Sequence, residues 1–194
     1  MLTDTTRLWF GDLTSAELPR TIGLGEIGQL LDEMYRDSAQ DLRERAAVLF
    51  LDRAGRLHVS KPLVGDMRRV IIRRPELIAG ERYVGVMHTH PPLMGTGVAF
   101  GGQDFAMMLD STDVIALLQT GSSLVALVRT EKTAVKADVD VLRSQMQQVE
   151  RNAMSQGYTA KEALVLANLA ICKMYGLALY VGYAPGPLEE VFRP

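Results

Sequence analysis

The chain has 194 residues, of which 47% are hydrophobic and 23% are charged, and its formal net charge is −2. This length suits a single domain with a sizeable core, so we expect residues 1–194 to fold as one unit. Because there is no basic excess to neutralise phosphates, the composition argues against a general nucleic-acid binder. Cys172 is the single cysteine, which excludes an internal disulfide, and its apolar neighbours predict a buried thiol.

The N-terminus lacks the basic segment and apolar run that are typical of a secretion signal, so we expect a cytoplasmic protein. Residues 163–184 are mostly apolar and about long enough to cross a bilayer. However, Asn168 and Lys173 lie near the middle, and a central lysine costs roughly 3 kcal/mol on insertion scales. The hydrophobic period also changes at Gly176. We therefore predict a buried helix followed by a strand, without membrane association.

The first half of the chain contains one predicted helix and one predicted hairpin. Residues 1–25 predict irregular structure, and the apolar spacing over 26–43 predicts a helix. The apolar run 46–51, the turn at 52–55 and the alternating segment 56–62 then predict a β-hairpin.

The central and C-terminal parts predict a mixture of strands and helices. Residues 70–72 are β-branched and residues 84–88 are apolar, so both predict strands. A glycine-rich loop follows Pro91 and Pro92. The remaining predicted elements are a short helix at 104–109, strands at 114–118 and 124–128, and helices at 139–156 and 159–175. The sum is an α+β fold (α/β/α-like), a mixed β-sheet flanked by helices.

The predicted helix at 139–156 carries an apolar stripe of Val141, Leu142, Met146 and Val149. Such a stripe suits either packing against the core or assembly into a homodimer, and core packing is the default. The tail, residues 188–194, either docks on the fold or stays free.

Four arginines surround the predicted strand at 70–72, namely Arg68, Arg69, Arg73 and Arg74. Charged residues protect an exposed strand edge against aggregation, and this is the preferred interpretation. The alternative is an acidic or carboxylate-bearing partner.

Two of the three histidines, His88 and His90, stand at positions i and i+2. Alternate side chains of a strand point the same way, so both rings can reach one metal ion. A catalytic zinc typically has three protein ligands and keeps one position open. Asp104 comes from a different element after a loop and supplies the third ligand. Taken alone, Asp104 is also a candidate helix N-cap, but the upstream histidines favour a ligand.

A hydrolytic metal centre also needs a proton acceptor outside the ligand set. The spacing does not choose among Glu33, Glu44, Glu76 and Glu81. The third histidine, His58, lacks any such context and is predicted to be an exposed strand residue.

Residues 85–91 (Gly-Val-Met-His-Thr-His-Pro) and 103–105 (Gln-Asp-Phe) resemble the JAB/JAMM (MPN-domain) metallopeptidases. The pattern of that family is Glu, then His-x-His-Pro, then Ser-x-x-Asp. Residues 44–52 resemble the first strand of its RadC-like, bacterial JAB branch. The resemblance covers residues 40–130, which leaves the helix at 26–43 and the helices at 139–175 as additions.

This resemblance implies a JAB/MPN-like fold and a zinc ion held by His88, His90 and Asp104. It implies that Glu44 acts as general base and acid. The implied activity is a deubiquitinase-like (iso)peptidase that cleaves a ubiquitin-like or small carrier protein with a flexible C-terminal tail from its conjugate or precursor. The RadC-like branch also suggests DNA-associated roles, but the net charge of −2 argues against direct binding.

The chain departs from the family pattern in two places. Gly101 stands where the family has Ser, and the loop between His90 and Asp104 is longer than expected. The backbone N–H groups of Gly101 and Gly102, or the Ser111 hydroxyl, are candidate substitutes for the missing oxyanion donor. The alternative function is a non-catalytic JAB-like module that binds a protein partner. Residues 92–102 carry no charge, which suits an uncharged peptide tail such as a Gly-Gly end.

Overall fold

The computed structural model describes residues 7–11, 13–92 and 99–194. A short 3-10 helix spans Ser15–Glu17. The elements, in chain order, are β1 (Thr21–Ile22), α1 (Glu26–Asp41), β2 (Arg45–Leu51), β3 (Leu57–Val59), β4 (Leu63–Val64), β5 (Arg82–Thr89), α2 (Gly102–Asp110), β6 (Ile115–Thr120), β7 (Ser123–Arg129), α3 (Val139–Ser155), α4 (Ala160–Tyr175), β8 (Leu177–Tyr183) and β9 (Leu188–Phe192).

The described strands form one mixed sheet in the order β1-β9-β8-β7-β6-β5-β2-β3, with β4 also paired to β2. β5 and β6 run parallel, whereas the other pairs are antiparallel. A parallel pair needs a crossover connection, and α2 lies within it. The predicted α+β class, a mixed sheet flanked by helices, is therefore confirmed at this level.

Helices cover both faces of the sheet. α1 packs on one face, where its buried residues contact alternate residues of β2 and β5 such as Leu49 and Met87. α2, α3 and α4 pack on the other face against residues such as Val86 and Leu118. Because successive side chains of a strand point to opposite faces, the central strands contribute side chains to the hydrophobic cores on both faces of the sheet.

The predicted strand at 70–72 is wrong. Residues 65–81 form no regular element, and Ile71 is 67% exposed. β-branched residues favour a half-buried pleated surface but do not create a pairing partner. Here β3 and β4 occupy the edge of β2, so residues 70–72 leave the sheet and line a cavity instead.

The N-terminal prediction is wrong in part, because Thr21 and Ile22 pair with Glu189 and Leu188 of β9. The tail is docked as well, since β9 pairs with β8. Residues 1–6 and 12 lie outside the described residues. The two ends of the chain thus complete one edge of the sheet, a pairing that local patterns do not encode.

The prediction of a buried helix followed by a strand is confirmed. Residues 163–184 contain most of α4 and then β8, and Cys172 is fully buried. Among the described helices, none combines the length and apolar character needed to cross a membrane. Leu142 and Met146 are buried in the core, whereas Val141 is 48% exposed. Apart from Val141, the stripe on α3 therefore packs against the core, and a homodimer stays a prediction.

Candidate metal centre

The pairing of β2 with β5 brings three polar side chains to one face of the sheet. Arg45 stands opposite Thr89 and Ala46 stands opposite His88. Glu44, one residue before β2, continues this register towards His90. Directly opposed residues share a face, so Glu44, His88 and His90 all lie on the side covered by α2.

Thr89, between the two histidines, points to the other face. Its hydroxyl lies 2.5 Å from that of Ser38 on α1 and accepts a hydrogen bond from the Arg45 backbone N–H at 3.1 Å. These contacts fix the register at the end of β5. They therefore hold His88 and His90 towards α2.

Asp104 lies in the first turn of α2. Its Oδ2 accepts a 2.8 Å hydrogen bond from the Gly101 N–H, which satisfies one free donor of the helix start. Its Oδ1 lies 3.3 Å from His88 Nε2, and its Oδ2 lies 3.8 Å from His90 Nε2. The alternative that Asp104 is the N-cap is wrong, because Gly101 holds that position and Asp104 is the third residue of α2. The Asp104 carboxylate nevertheless stabilises the helix start and faces both imidazoles.

The spacing of these groups suits a metal ion. Ligand atoms of His88, His90 and Asp104 all lie within 4.8 Å of one another. Around a tetrahedral zinc with bonds of about 2.0–2.1 Å, ligand atoms stand about 3.3 Å apart. The 3.3 Å distance between His88 Nε2 and Asp104 Oδ1 matches this value. The longer distances between the other ligand atoms would shorten to it through side-chain adjustment alone.

The burial of His88 is a second sign of a ligand. The residue is only 2% exposed, and neither ring nitrogen has a hydrogen-bond partner of normal geometry among the described residues. Buried polar atoms are rarely left unpaired. A metal ion would use the lone pair of one nitrogen. The set of two imidazoles and one carboxylate is also typical of catalytic zinc.

The charges of the metal-free chain suit cation binding as well. Burial, reinforced by His88, lowers the pKa of His90 to about 4, so this ring is neutral near pH 7. Burial opposes ionisation of Asp104, but the imidazoles outweigh it and lower its pKa to about 2. Burial also opposes charging of His88, but the Asp104 and Glu44 carboxylates outweigh it and raise its pKa. Among the three candidate ligands, His88 therefore binds a proton most readily, and a metal ion would displace that proton.

Glu44 lies in the same cavity but outside the ligand group. It is 9% exposed, and burial raises its pKa to about 7, against the opposing effect of His88. Glu33, Glu76 and Glu81, the other candidates from the sequence, do not line this cavity. The strand register and the burial therefore distinguish Glu44 from the other three glutamates, whereas sequence spacing alone did not.

The backbone of Glu44 is fixed by a tight turn. Its N–H donates to the Asp66 carbonyl and its carbonyl accepts from the Gly65 N–H, both at 2.8 Å. A Cβ at Gly65 would stand 2.1 Å from the Arg69 carbonyl oxygen, so only glycine permits this approach. The turn thereby holds the Glu44 carboxylate beside the histidines.

The cavity has a volume of about 1020 Å³ and is lined by the three candidate metal ligands. Gly101 and Gly102 line it at the start of α2. A Cβ at Gly102 would meet the backbone of Arg143 at 3.3 Å, so glycine allows α2 to approach α3 closely. The described lining residues are Glu44, Met67, Arg68, Arg69, Val70, Ile71, Ile72, His88, His90, Pro91, Ala99, Phe100, Gly101, Gly102, Gln103, Asp104, Met107, Arg143 and Leu164.

The structure does not bring Ser111 to this cavity. Ser111 follows the last residue of α2, and its hydroxyl donates to the Met108 carbonyl and accepts from the Asp113 N–H. Since α2 begins at Gly102, about two and a half turns separate Ser111 from the cavity. The uncharged loop between Pro92 and Gly102 lies partly outside the described residues.

Asn168 is a supporting residue that the sequence analysis missed. It lies on α4, is buried, and its side chain exchanges two 3.0 Å hydrogen bonds with the Phe100 backbone and donates to the Leu164 carbonyl at 3.2 Å. The Phe100 ring lies 5.8 Å from the His88 ring. Asn168 thus positions the segment that leads into α2. A polar residue within an apolar helix was the available signal, but it served only as an argument against a membrane span.

Replacing Asn168 by Ala is expected to lower the free energy of unfolding by about 2–4 kcal/mol, because the Phe100 N–H and carbonyl lose their partners. Denaturant titration would measure the change. The control is Asn152→Ala on exposed α3, which we expect to cost less than about 0.5 kcal/mol. Equal stability of the two variants would contradict the positioning role.

Comparisons of the chain with protein-family models, with curated proteins and with solved structures found no match. The chemistry of the site therefore rests on its own residues. Those residues offer three ligands for a divalent cation, a carboxylate with a raised pKa beside them, and an open cavity. This combination suits hydrolysis.

Proposed function

We propose that this protein is a zinc-dependent hydrolase of the JAB/JAMM (MPN-domain) type that cleaves a peptide or isopeptide bond. The main support is the convergence of His88, His90 and Asp104 within 4.8 Å in the cavity that also contains Glu44. On this proposal the fold is JAB/MPN-like, with the ligands on β5, on the residue after it and on α2, and with α1, α3 and α4 as additions.

Glu44 carries the proton transfers of the proposed reaction. When bound, zinc supplies Lewis-acid polarisation of the scissile carbonyl and of the attacking water. Glu44 accepts a proton from the water as its oxygen bonds to the carbonyl carbon. It then returns the proton to the nitrogen as the C–N bond breaks. A pKa of about 7 suits both transfers, and a nearby cation would favour the ionised base.

The start of α2 supplies the oxyanion donor. The Gly101 N–H already donates to Asp104 at 2.8 Å, so it is not free for substrate. Gly102 is the first residue of α2, and the N–H groups of a first helical turn lack partners within the helix. We therefore assign the role to the Gly102 N–H.

The proposed substrate is a ubiquitin-like or small carrier protein joined through its flexible C-terminal tail. An extended tail exposes its backbone on all sides and can enter the cavity that contains this centre. Gly101 and Gly102 keep one wall free of side chains, which leaves room for backbone.

Metal analysis of the purified protein tests the proposal. We expect about one zinc per chain in the wild type. The double variant His88→Ala, His90→Ala should lose it. His58→Ala is the matched control, because His58 lies on β3 in a contact with Asp52, and it should keep its zinc. Absence of metal from wild-type protein supplied with zinc would contradict the proposal.

The second candidate function is a non-catalytic JAB-like module that binds a protein partner. The observation that favours it is Gly101, which leaves this cavity without the hydroxyl that the family resemblance predicts. Zinc binding without hydrolysis of any ubiquitin-like fusion would support this candidate.

A further inference from the structure

The four clustered arginines have two different roles. Arg74 forms a double hydrogen bond with the buried Asp113, at 2.7 and 2.6 Å, and stacks 4.8 Å from the centre of the Tyr83 ring. It therefore anchors the irregular segment 65–81 to the core. The other three arginines do not share this role.

Arg68, Arg69 and Arg73, together with Arg43, form an exposed group that we call the basic strip. Within the part of the chain that the structure describes, the only ion pair of these four is that of Arg69 with Asp66, at 3.5 Å between two exposed side chains. Arg43 also donates to a backbone carbonyl. The strip therefore has a local positive excess, although the chain has a net charge of −2.

The basic strip leads into the candidate metal centre. A second cavity of about 410 Å³ is lined by Arg43, Arg69 and Arg73. Arg69 and Ile71 also line the first cavity, which contains the metal ligands. One continuous surface thus connects the arginines to the site of the proposed reaction.

Exposed apolar side chains lie among the arginines of this surface. Val64 and Met67 are each 48% exposed, and Ile71 is 67% exposed. Exposed apolar groups beside arginine are typical of protein-binding surfaces. Residues 63–73 contain no Phe, Tyr or Trp, so the strip lacks the rings on which the bases of single-stranded nucleic acid stack.

We propose that the basic strip binds an extended acidic peptide segment, with carboxylates on the arginines and apolar side chains on Val64, Met67 and Ile71. Arginine matches carboxylate geometry through paired N–H donors, which makes it the suitable residue for this contact. That the peptide is part of the substrate, next to the bond to be cleaved, rests on the proposed hydrolase function. The preference of the basic strip for an acidic peptide does not depend on that function.

Fluorescence anisotropy with labelled peptides tests the proposal. The probe alternates Glu with Leu, and its matched partner has Gln in place of every Glu. The measurement uses the full chain as purified and again after chelation, which removes direct binding of carboxylates to a metal. We expect the Glu peptide to bind at least about tenfold more tightly in both states, and its affinity to fall as salt rises.

Arg68→Gln, Arg73→Gln is the informative variant, because neither side chain has a hydrogen bond or ion pair among the described residues. We expect it to weaken Glu-peptide binding about tenfold, since each exposed charge pair contributes up to about fivefold. Arg20→Gln, Arg151→Gln removes the same charge from exposed positions elsewhere and should bind like wild type. Equal binding of the two peptides, an unchanged affinity of the Arg68/Arg73 variant, or tighter binding of a single-stranded oligonucleotide would each overturn the proposal. A chain that binds no zinc but passes this test would contradict the hydrolase and keep the acidic-peptide site.

Discussion

Replacing Glu44 by Gln is expected to leave about one zinc per chain and to reduce kcat/KM for a ubiquitin-like fusion by about 10²–10⁴-fold. Glu44 lies outside the group of candidate metal ligands but lines their cavity, so the amide should leave those three residues in place. Glutamine has nearly the same shape and cannot take the proton from water. Hydrolysis of the fusion and zinc content, measured on the same preparation, check both parts.

Two controls separate loss of the base from loss of the fold. Glu76→Gln, at an exposed position of the irregular segment, should hydrolyse like wild type. Burial raises the pKa of Glu44 to about 7 in the metal-free protein, above its ordinary value of 4.5. Ionised Glu44 therefore opposes folding increasingly as the pH rises from 4.5 through 7, and glutamine removes this effect. Metal-free Glu44→Gln should thus be at least as stable as wild type at pH 8. Turnover equal to wild type would exclude Glu44 as the base.

The elements that the sequence predicts correctly are those with a strong local pattern. The apolar run of β2, the turn after it and the apolar run into His88 on β5 can each be recognised from a short stretch of sequence. The two histidines share a face because alternate side chains of a strand point the same way. Asp104 then follows from the need for a ligand on a separate element.

The missed features depend on contacts between distant parts of the chain. β1 exists because Thr21 and Ile22 meet β9, near the other end of the chain. Residues 70–72 have strand composition, but β3 and β4 already occupy the edge of β2. Composition indicates which secondary structures a segment can adopt, whereas strand pairing depends on which segments lie beside it in the fold.

The same distinction applies to the candidate site. Glu44 is one of several glutamates by spacing, and the β2–β5 register is what brings it beside His88. Asn168 contacts Phe100 across 68 positions of sequence. Arg74 and Arg73 are neighbours in sequence, yet only Arg74 bonds a buried carboxylate. The sequence indicates the candidate ligands because they follow a recognisable spacing. The supporting residues follow no such spacing, so only the structure reveals them.

Replacing Gly101 by Ser is expected to raise hydrolysis by up to about 100-fold without changing zinc content. Gly101 has φ −87° and ψ 171°, an extended conformation open to any residue. A Cβ there meets only Asp104 Oδ2, at 3.5 Å, which is ordinary van der Waals contact. Serine is also a preferred residue immediately before a helix, so the substitution should not destabilise α2. The new hydroxyl stands where the JAB/JAMM pattern has Ser, and on the proposed function it adds a donor for the developing oxyanion.

Gly101→Ala is the matched control, because it adds the same Cβ without the hydroxyl. Activity that rises in the serine variant alone assigns the effect to the hydroxyl, and equal activity in the two variants would contradict it.

The comparison of Gly101→Ser with wild type also separates the two candidate functions. A wild-type hydrolase with low activity indicates that the Gly102 N–H suffices as oxyanion donor. Hydrolysis that begins only with serine indicates a binding module that kept its metal ligands and base but lost the donor. The difference between the two functions would then lie in one hydroxyl group at the start of α2.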